Sequence, residues 1–279
     1  MKKLILIMMM VVAMSTGQAF AKDVGTQVES GMKQFFESNN IPLGINIEVI
    51  KKLKEPKGLY FIKMVLTDNK SGRTQEQLVF TDGKYIMPDV LTVDTNTSLK
   101  DVLSFESAKK VDIDVSGLTL IDGKKGAKHT IIEVSDFQCP YCKRAYAYLH
   151  NEIKQRNLDV AVYMMHLPLE FHNHAKLYAA IFEAGKQVGS DFGGQLYATN
   201  KKVDEMADAD VIEMFAKQTS NPAKFKALVK SPSIAGKIAA EAKKANSMGI
   251  TGTPHMFFDG KPVGGFKQSM YKLALDSFK

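Results

Sequence analysis

The sequence lacks a long apolar run after its first twenty residues, and it has no internal repeat and no low-complexity stretch. It also lacks a strong charge bias, because 37 basic residues are set against 30 acidic ones along the whole chain. Nucleic-acid binding calls for a clustered basic stripe with interleaved aromatic residues, and no segment has that pattern. We therefore expect neither a membrane-spanning mature chain nor a nucleic-acid partner.

The one apolar run lies at the start of the chain. Lys2 and Lys3 precede the apolar residues 4–13, and a stretch of small residues follows that ends in Ala19-Phe20-Ala21. This order is typical of a secretory signal peptide with cleavage after Ala21. A retained anchor is the alternative, but about ten apolar residues are short against the roughly twenty that span a bilayer. The sequence therefore predicts a signal peptide over 1–21 and a mature protein outside the cytoplasm.

Cysteine is scarce for an exported protein. The two cysteines of the chain, Cys139 and Cys142, stand three residues apart. Such a pair favours redox chemistry over a framework of structural disulfides. A zinc or copper site would need more ligands, and the nearby His172 and His174 do not complete a common metal-binding pattern. A structural disulfide closing so short a loop would stabilise little, and a chance occurrence of the motif stays open on the tetrad alone.

The first part of the mature chain has the pattern of a small α+β domain. Apolar residues recur at helical spacing over 27–36, and alternating or β-rich runs follow at 45–49 and 59–66. Residues 77–80 and 85–87 flank an Asp-Gly pair, which predicts a hairpin. We interpret residues 22–97 as this domain and 98–117 as a partly helical linker. The alternative is that the segment over 98–110 is the last element of the first domain.

The second part, 118–279, begins with the pattern of a β-α-β unit. An apolar strand is predicted over 129–134, a helix over 139–156 and another apolar strand over 158–165. Helical segments then fill most of the chain to Met248, including 175–188, 208–217, 223–230 and 234–248. A strand at 256–258, a turn and a short strand near Val263 follow, and a helix over 268–278 ends the chain.

The predicted position of Cys139, after a strand and at the start of a helix, has a chemical consequence. Free N–H groups and the positive end of the helix dipole stabilise a thiolate there. We expect Cys139 to be the nucleophile and Cys142, one turn further and more buried, to resolve the mixed disulfide. Pro140 suits the first helical turn, where its missing N–H would have no partner.

A second motif, Gly252-Thr253-Pro254, immediately precedes a strand about 110 residues after the first. Together with residues 137–142, whose sequence includes the tetrad Cys139-Pro140-Tyr141-Cys142, it makes residues 118–279 resemble the Dsb family of periplasmic thioredoxin-fold proteins. The resemblance implies an α/β thioredoxin fold with a helical insertion over about 168–248. It also implies a cis bond before Pro254.

The resemblance assigns roles to single residues. A cis Pro254 would leave the backbone of Thr253 free to pair with an extended client segment and would keep metals from the thiols. Glu133 matches a buried acid beneath the active site that could exchange a proton with Cys142; a strand-end carboxylate in solvent is the alternative. The catalytic set implied is therefore Cys139, Cys142, Pro140, Tyr141, Thr253, Pro254 and Glu133. His166, His172 and His174 are expected to be structural or surface residues.

The order of the two domains resembles that of the DsbC and DsbG isomerases, in which the first, cystatin-like domain forms a homodimer. The chain departs from DsbC by lacking further cysteines. The resemblance implies a dimeric periplasmic isomerase or reductase of misoxidised secreted proteins, with a membrane protein as redox partner. No cofactor or metal is expected beyond a redox-active disulfide between Cys139 and Cys142. The alternatives are a DsbA-like oxidase and a chaperone. Tyr141 argues against the oxidase, because a histidine at that position would better stabilise a thiolate.

Overall fold

The computed structural model describes residues 24–278, so the predicted signal peptide over 1–21 lies outside the described residues. Two compact units divide between Ser107 and Ala108. Within the described range, no helix is both long enough and apolar enough to cross a membrane. Each unit has hydrophobic clusters of its own, as the two-domain prediction requires.

The first unit is an antiparallel sheet with two helices. The chain order is α1 (Val24–Ser38), β1 (Leu43–Lys52), β2 (Tyr60–Asp68), β3 (Thr74–Thr81), β4 (Ile86–Met87) and α2 (Leu99–Ser107). The four strands lie side by side in sequence order, and β3 pairs with β4 across the predicted hairpin. The α+β interpretation of this region therefore agrees with the structure.

The alternation of side chains along β2 divides the core of the first unit into two clusters. Ile62 and Met64 belong to one cluster, together with Val28 and Phe36 of α1. Phe61, one residue earlier and therefore on the opposite face, belongs to the other cluster with Phe80. Both faces of this end of the sheet are thus covered by apolar side chains.

The interpretation of residues 98–117 as a linker requires correction. Leu103 of α2 is buried with Phe61 and Phe80, and Leu99 packs at the edge of the same cluster. The helix therefore belongs to the first unit, as the alternative interpretation has it. Its apolar residues gain their burial from β2 and β3, which are remote in sequence, so the local pattern alone did not distinguish a linker helix from a packed one.

The second unit is a five-stranded sheet flanked by helices. Its elements are β5 (Thr119–Gly123), β6 (His129–Ser135), α3 (Pro140–Arg156), β7 (Val160–His166), α4 (Ala175–Gln187), α5 (Gly193–Tyr197), α6 (Lys201–Asp204), α7 (Asp208–Ala216), α8 (Pro222–Val229), α9 (Pro232–Ser247), β8 (His255–Phe258), β9 (Lys261–Gly264) and α10 (Gln268–Asp276). The helices α4 to α9 interrupt the chain between β7 and β8, where the insertion was predicted. The strand β5 and the short helices α5 and α6 were not predicted.

The strand β6 occupies the centre of this sheet, whose order is β5-β7-β6-β8-β9. It runs parallel to β7 and antiparallel to β8, so β6, α3 and β7 form the predicted β-α-β unit. Every residue of β7 is buried, including Met164 and Met165. A strand covered on both faces needs helices on each side, and this explains its continuous apolar sequence.

Candidate active site

The two cysteines lie at the start of α3. Cys139 has extended backbone angles (φ −66°, ψ 123°) and caps the helix, which begins at Pro140. Cys139 is 4% exposed and Cys142, one turn along, is fully buried. Both are free thiols. Cys142 is therefore the more buried of the two residues by a small margin, and Cys139 itself is more enclosed than an open surface nucleophile.

The surroundings of the two thiols separate their acidities. The hydrogen bond from the Cys142 thiol is the main cause that lowers the pKa of Cys139, and it outweighs burial, so that the pKa falls from 9.0 to about 5. Hydrogen bonds from the Thr253 side chain and from backbone N–H groups of the first turn add to this effect. Burial, together with the neighbouring Cys139, raises the pKa of Cys142 well above its ordinary value. At neutral pH the pair therefore consists of a thiolate at Cys139 and a thiol at Cys142.

The loop ahead of Cys139 is fixed by the buried carboxylate of Asp136. One oxygen, Oδ1, accepts from the backbone N–H of Gln138 at 2.8 Å. The other, Oδ2, accepts from the backbone N–H of Leu169 at 3.0 Å and lies 2.7 Å from Nδ1 of His172. The backbone N–H of Cys139 donates to the carbonyl of Asp136 at 3.1 Å. His172 therefore has a structural contact here, and the loop from β7 supports the position of the nucleophile.

The second motif meets the first at the cysteine sulfur. The peptide bond between Thr253 and Pro254 is cis, which is the geometry expected from the resemblance. The carbonyl oxygen of Thr253 lies 3.7 Å from Sγ of Cys139. Two segments more than 100 residues apart in the chain therefore form one site.

Glu133 lies in the middle of β6 and is fully buried. The alternative of a strand-end carboxylate in solvent is therefore wrong. Neither carboxylate oxygen accepts a hydrogen bond from the described part of the chain. A buried carboxylate without hydrogen bonds is costly to maintain, so its presence behind the dithiol calls for a chemical explanation.

One polar residue of this layer was missed by the sequence analysis. His150 is a residue of α3, and its Nε2 lies 3.8 Å from Oε2 of Glu133. Its Nδ1 lies 2.5 Å from Oδ2 of Asp122, a residue of the unpredicted strand β5. The signal available in the sequence was the spacing of eight residues between Cys142 and His150, which places both on one face of a helix.

The remaining predicted residues have contacts of other kinds, and the backbone N–H of Tyr141 also hydrogen-bonds to the Cys139 sulfur. Tyr141 is 56% exposed, and its ring faces the guanidinium of Arg144 at 4.5 Å. Pro140 occupies the first turn of α3, as predicted. His166 is buried and paired with Glu183 at 3.0 Å, and His174 is buried beside Asp208 at 3.2 Å. These two histidines are structural residues of the second unit.

The fold and the paired thiols define a protein of the thioredoxin class with a dithiol at the start of the helix after the central strand. Comparison with known proteins gives the family: the sequence profile described as thioredoxin matches residues 116–276. The chain belongs to this thioredoxin family. The Dsb-like resemblance inferred from the sequence is thereby confirmed.

Solved structures share the fold of the second unit. A thioredoxin-like oxidoreductase from Silicibacter pomeroyi DSS-3 is 22% identical, with a TM-score of 0.50 over 58% of this chain and 92% of its own. BdbD from Bacillus subtilis, in its oxidised form, is 20% identical, with a TM-score of 0.50 over 61% of this chain and 96% of its own. These similarities establish a thioredoxin-like α/β fold.

A curated relative matches half of the chain. The Na(+)/H(+) antiporter NhaA 3 of Salinispora tropica is 28% identical over 144 residues, which are 50% of this chain and 22% of the antiporter. The chain thus spans about a fifth of the length of that relative.

Proposed function

We propose that the chain is a periplasmic thiol:disulfide oxidoreductase whose dithiol Cys139–Cys142 exchanges with disulfides of secreted proteins. The observation that carries the proposal is the asymmetry of the two sulfurs, since one lies at a helix start beside the Thr253 carbonyl and the other is fully buried. A thiolate is the attacking species in disulfide exchange, and the second thiol must be close and protected until a mixed disulfide forms.

The mechanism follows from this asymmetry. The Cys139 thiolate attacks a client disulfide, a bond forms between Sγ of Cys139 and one client sulfur, and the other client sulfur leaves with the electron pair. Cys142 then loses its proton and attacks Sγ of Cys139, which releases the client's second sulfur and leaves the Cys139–Cys142 disulfide. The reverse sequence oxidises a client dithiol. We propose that the backbone of Thr253, beside Pro254, pairs with the client segment during attachment.

We further propose that the protein acts mainly as a dimeric isomerase or reductase. The first unit, with its own sheet and core, supports this assignment because thiol exchange by a thioredoxin-fold unit alone does not require it. Misoxidised secreted proteins would be its clients, and a membrane redox protein would return Cys139 and Cys142 to the dithiol. Export by the predicted signal peptide would place the chain in the periplasm.

The experiment that tests the proposal measures recovery of activity from scrambled ribonuclease by the chain without residues 1–21, together with its mass in solution. The proposal expects a dimer that restores activity and a Cys139→Ser variant that is folded and inactive. The Ser220→Ala variant, altered at an exposed turn far from Cys139 in the sequence, should retain full activity. A monomer that cannot reshuffle the disulfides would overturn the isomerase assignment.

A DsbA-like oxidase is the second candidate, and the low pKa of Cys139 favours it. A pKa of about 5 stabilises the reduced form, because the thiolate is the favoured state, and so makes the disulfide more oxidising. Equilibration with glutathione separates the candidates: strong oxidants of this class lie near about −120 mV and isomerase-type proteins near about −180 mV. A potential at the upper value, with rapid oxidation of a reduced client, would favour the oxidase.

A further inference from the structure

The buried hydroxyl of Ser135 lies where the central strand meets the dithiol. Ser135 is the last residue of β6 and is 1% exposed. Its side chain hydrogen-bonds to the thiol of Cys142, which is fully buried on the first turn of α3. The backbone carbonyl of Ser135 accepts from the N–H of Leu167 at 3.0 Å, so the end of the strand is fixed. The serine hydroxyl is therefore held next to the sulfur that must attack in the resolving step.

The second partner of this hydroxyl comes from the helical insertion. The phenol oxygen of Tyr197, the last residue of α5, lies 2.6 Å from Oγ of Ser135. The Tyr197 ring packs against two parts of the active site, with ring centroids 4.6 Å from Phe137, in the loop before Cys139, and 4.4 Å from Tyr146 of α3. These contacts hold the phenol against the serine.

The protons of these groups set the direction of the hydrogen bonds. Burial raises the pKa of the Tyr197 phenol well above its ordinary value, so the phenol keeps its proton and can donate to Oγ of Ser135. A serine hydroxyl has one proton and two acceptor lone pairs. When Tyr197 donates to the serine oxygen, the serine proton is free to point at Cys142. The arrangement therefore presents a hydrogen-bond donor to the Cys142 sulfur.

We propose that Ser135 is a catalytic residue of the resolving step, whose hydroxyl donates a hydrogen bond to the Cys142 thiolate, and that Tyr197 is the positioning residue that orients this hydroxyl. The proposal rests on the proposed disulfide exchange and names the groups of this chain that assist its second half. It also gives the helical insertion a part in the chemistry, through the last residue of α5.

The assistance falls on the ionisation of Cys142. In the resolving step Cys142 gives its proton to a hydroxide or buffer base from the solvent, and its sulfur forms a bond to Sγ of Cys139. The bond between Cys139 and the client sulfur breaks, and the client sulfur leaves with the electron pair. Burial and the neighbouring Cys139 oppose the ionisation, and a hydrogen bond to the charged form favours it. Ser135 therefore speeds resolution without gaining or losing a proton.

The other polar groups of this layer can be separated from Ser135 by substitution. Thr253 hydrogen-bonds to both sulfurs, so its side chain bears on attack as well as on resolution. The titratable groups of the layer are Cys139, Glu133, Tyr197 and Tyr271. Ser135→Ala keeps every one of them and removes a single neutral donor. A change confined to the second half of the exchange therefore reports this hydroxyl.

The test uses the symmetrical disulfide of thionitrobenzoate, which releases a coloured thiolate in each half of the exchange. The first release reports attack by Cys139, and the second reports resolution by Cys142. We expect Ser135→Ala to slow the second release about tenfold at pH 7, equivalent to one pKa unit of Cys142, and to leave the first unchanged. Tyr197→Phe keeps the ring and should slow the second release about threefold, which is half a pKa unit. The double variant should be no slower than Ser135→Ala alone.

The matched control is Tyr178→Phe. Tyr178 of α4 is fully buried, and its hydroxyl donates to Asp204 of α6 at 2.7 Å, so its loss removes a phenol hydrogen bond within the insertion. We expect both releases to stay within about twofold of the unmodified protein. Thermal unfolding of Tyr178→Phe and Tyr197→Phe measures the loss of stability that follows from removing a buried phenol hydroxyl in either place.

A second measurement distinguishes assistance to ionisation from distortion of the dithiol. Cys142 is neutral both as a thiol and in the disulfide, so a donor that acts on its thiolate should change the rate of resolution and leave the equilibrium with glutathione unchanged. We therefore expect the same equilibrium constant with glutathione for Ser135→Ala and for the unmodified protein.

An unchanged second release in Ser135→Ala would overturn the role of the serine. Equal slowing of both releases, or a shifted equilibrium with glutathione, would also overturn it, because the serine would then act through the structure of the dithiol. Equal slowing of the second release by Tyr178→Phe and Tyr197→Phe, or an additive loss in the double variant, would overturn the role of Tyr197. Failure of the proposed function would differ, because the unmodified protein would then show no rapid first release.

Discussion

The two units of the chain use their sheets in opposite ways. In the first, the open part of the sheet has paired charges at its surface, such as Lys63 and Glu48 at 2.6 Å, which face each other across β1 and β2. In the second, the central strand has the fully buried Glu133 and the buried Ser135. Polar groups that remain in water reduce the free energy of unfolding little, whereas buried polar groups reduce it unless they are paired, so an unpaired one points to a chemical use.

This difference identifies where chemistry can occur. The buried charged residues of the second unit surround the dithiol or join the insertion to the sheet, as Glu183 does by accepting from Thr119 at 2.8 Å and pairing with Lys237 at 3.2 Å. The buried core of the first unit is almost entirely hydrocarbon, with Thr81 as its one fully buried polar residue in the described range. We therefore expect changes in the first unit to alter stability and changes in the second to alter reactivity as well.

The largest expected effect is on the pH dependence of thiol alkylation. Because the pKa of Cys139 is lowered to about 5, its thiolate persists as pH falls and is lost only near that value. The alkylation rate of the reduced protein should therefore have its midpoint near pH 5. At pH 6 the thiolate fraction of Cys139 exceeds that of a thiol with a pKa of 9.0 by about a thousandfold, and lower nucleophilicity offsets about a hundredfold of this.

Mass spectrometry of the alkylated protein at each pH would assign the rate to one cysteine. Cys142 should stay unmodified across this range, because its pKa is raised and its side chain is buried. A midpoint near pH 9 for Cys139, or preferential labelling of Cys142, would contradict the asymmetry on which the proposed exchange mechanism depends.

A core truncation in the first unit should change stability and leave reactivity intact. Phe61→Ala removes a fully buried ring from the cluster with Phe80 and should cost about 3 to 5 kcal/mol. Urea unfolding followed by far-UV circular dichroism would measure this loss, and Val93→Ala, at a fully exposed position, is the control. A large fall in the alkylation rate of Cys139 in native buffer would show that the two units are not separable in this way.

Features of the chain that have a local sequence pattern could be predicted, and features that depend on contacts with residues remote in sequence could not. The order of helices and strands, the two cysteines and the motif at Thr253-Pro254 could be predicted because each has a local pattern. The strand β5 could not, because its five residues include Asp122 and Gly123 and its pairing is with β7, about 40 residues later. The burial of Glu133 was ambiguous for a related reason, because the alternation of side chains along a strand does not show which face of the sheet is covered.

Removing a buried charge in the second unit should have a smaller effect than Phe61→Ala. Glu183→Gln leaves His166 and Lys237 facing a neutral amide and should cost about 3 kcal/mol, measured by urea unfolding at pH 7. Contacts with His166 and Lys237 hold the pKa of Glu183 below 4.5 although burial opposes them. Its contribution is therefore complete above pH 4.5 and is lost as pH falls through the lower folded value.

The exposed pair of Glu205 and Lys201, at 3.5 Å, is the matched control for this prediction. Glu205→Gln should change the free energy of unfolding by no more than about 0.5 kcal/mol. Equal losses in Glu183→Gln and Glu205→Gln would mean that burial is not what makes the charges of the second unit important.

The smallest expected effect comes from removing a helix-capping hydroxyl in the second unit. It tests whether the loss of a hydrogen bond destabilises this unit as much as the loss of a buried charge. Ser231 caps α9, and its hydroxyl accepts from the backbone N–H of Ile234 at 3.3 Å. Ser231→Ala should cost about 1 kcal/mol, because water can replace the lost hydrogen bond at a helix end, whereas Glu183 is almost wholly buried. Ser220→Ala, in an exposed turn, should cost less. A loss from Ser231→Ala as large as that from Glu183→Gln would show that hydrogen bonding alone, and not desolvated charge, distinguishes the second unit from the first.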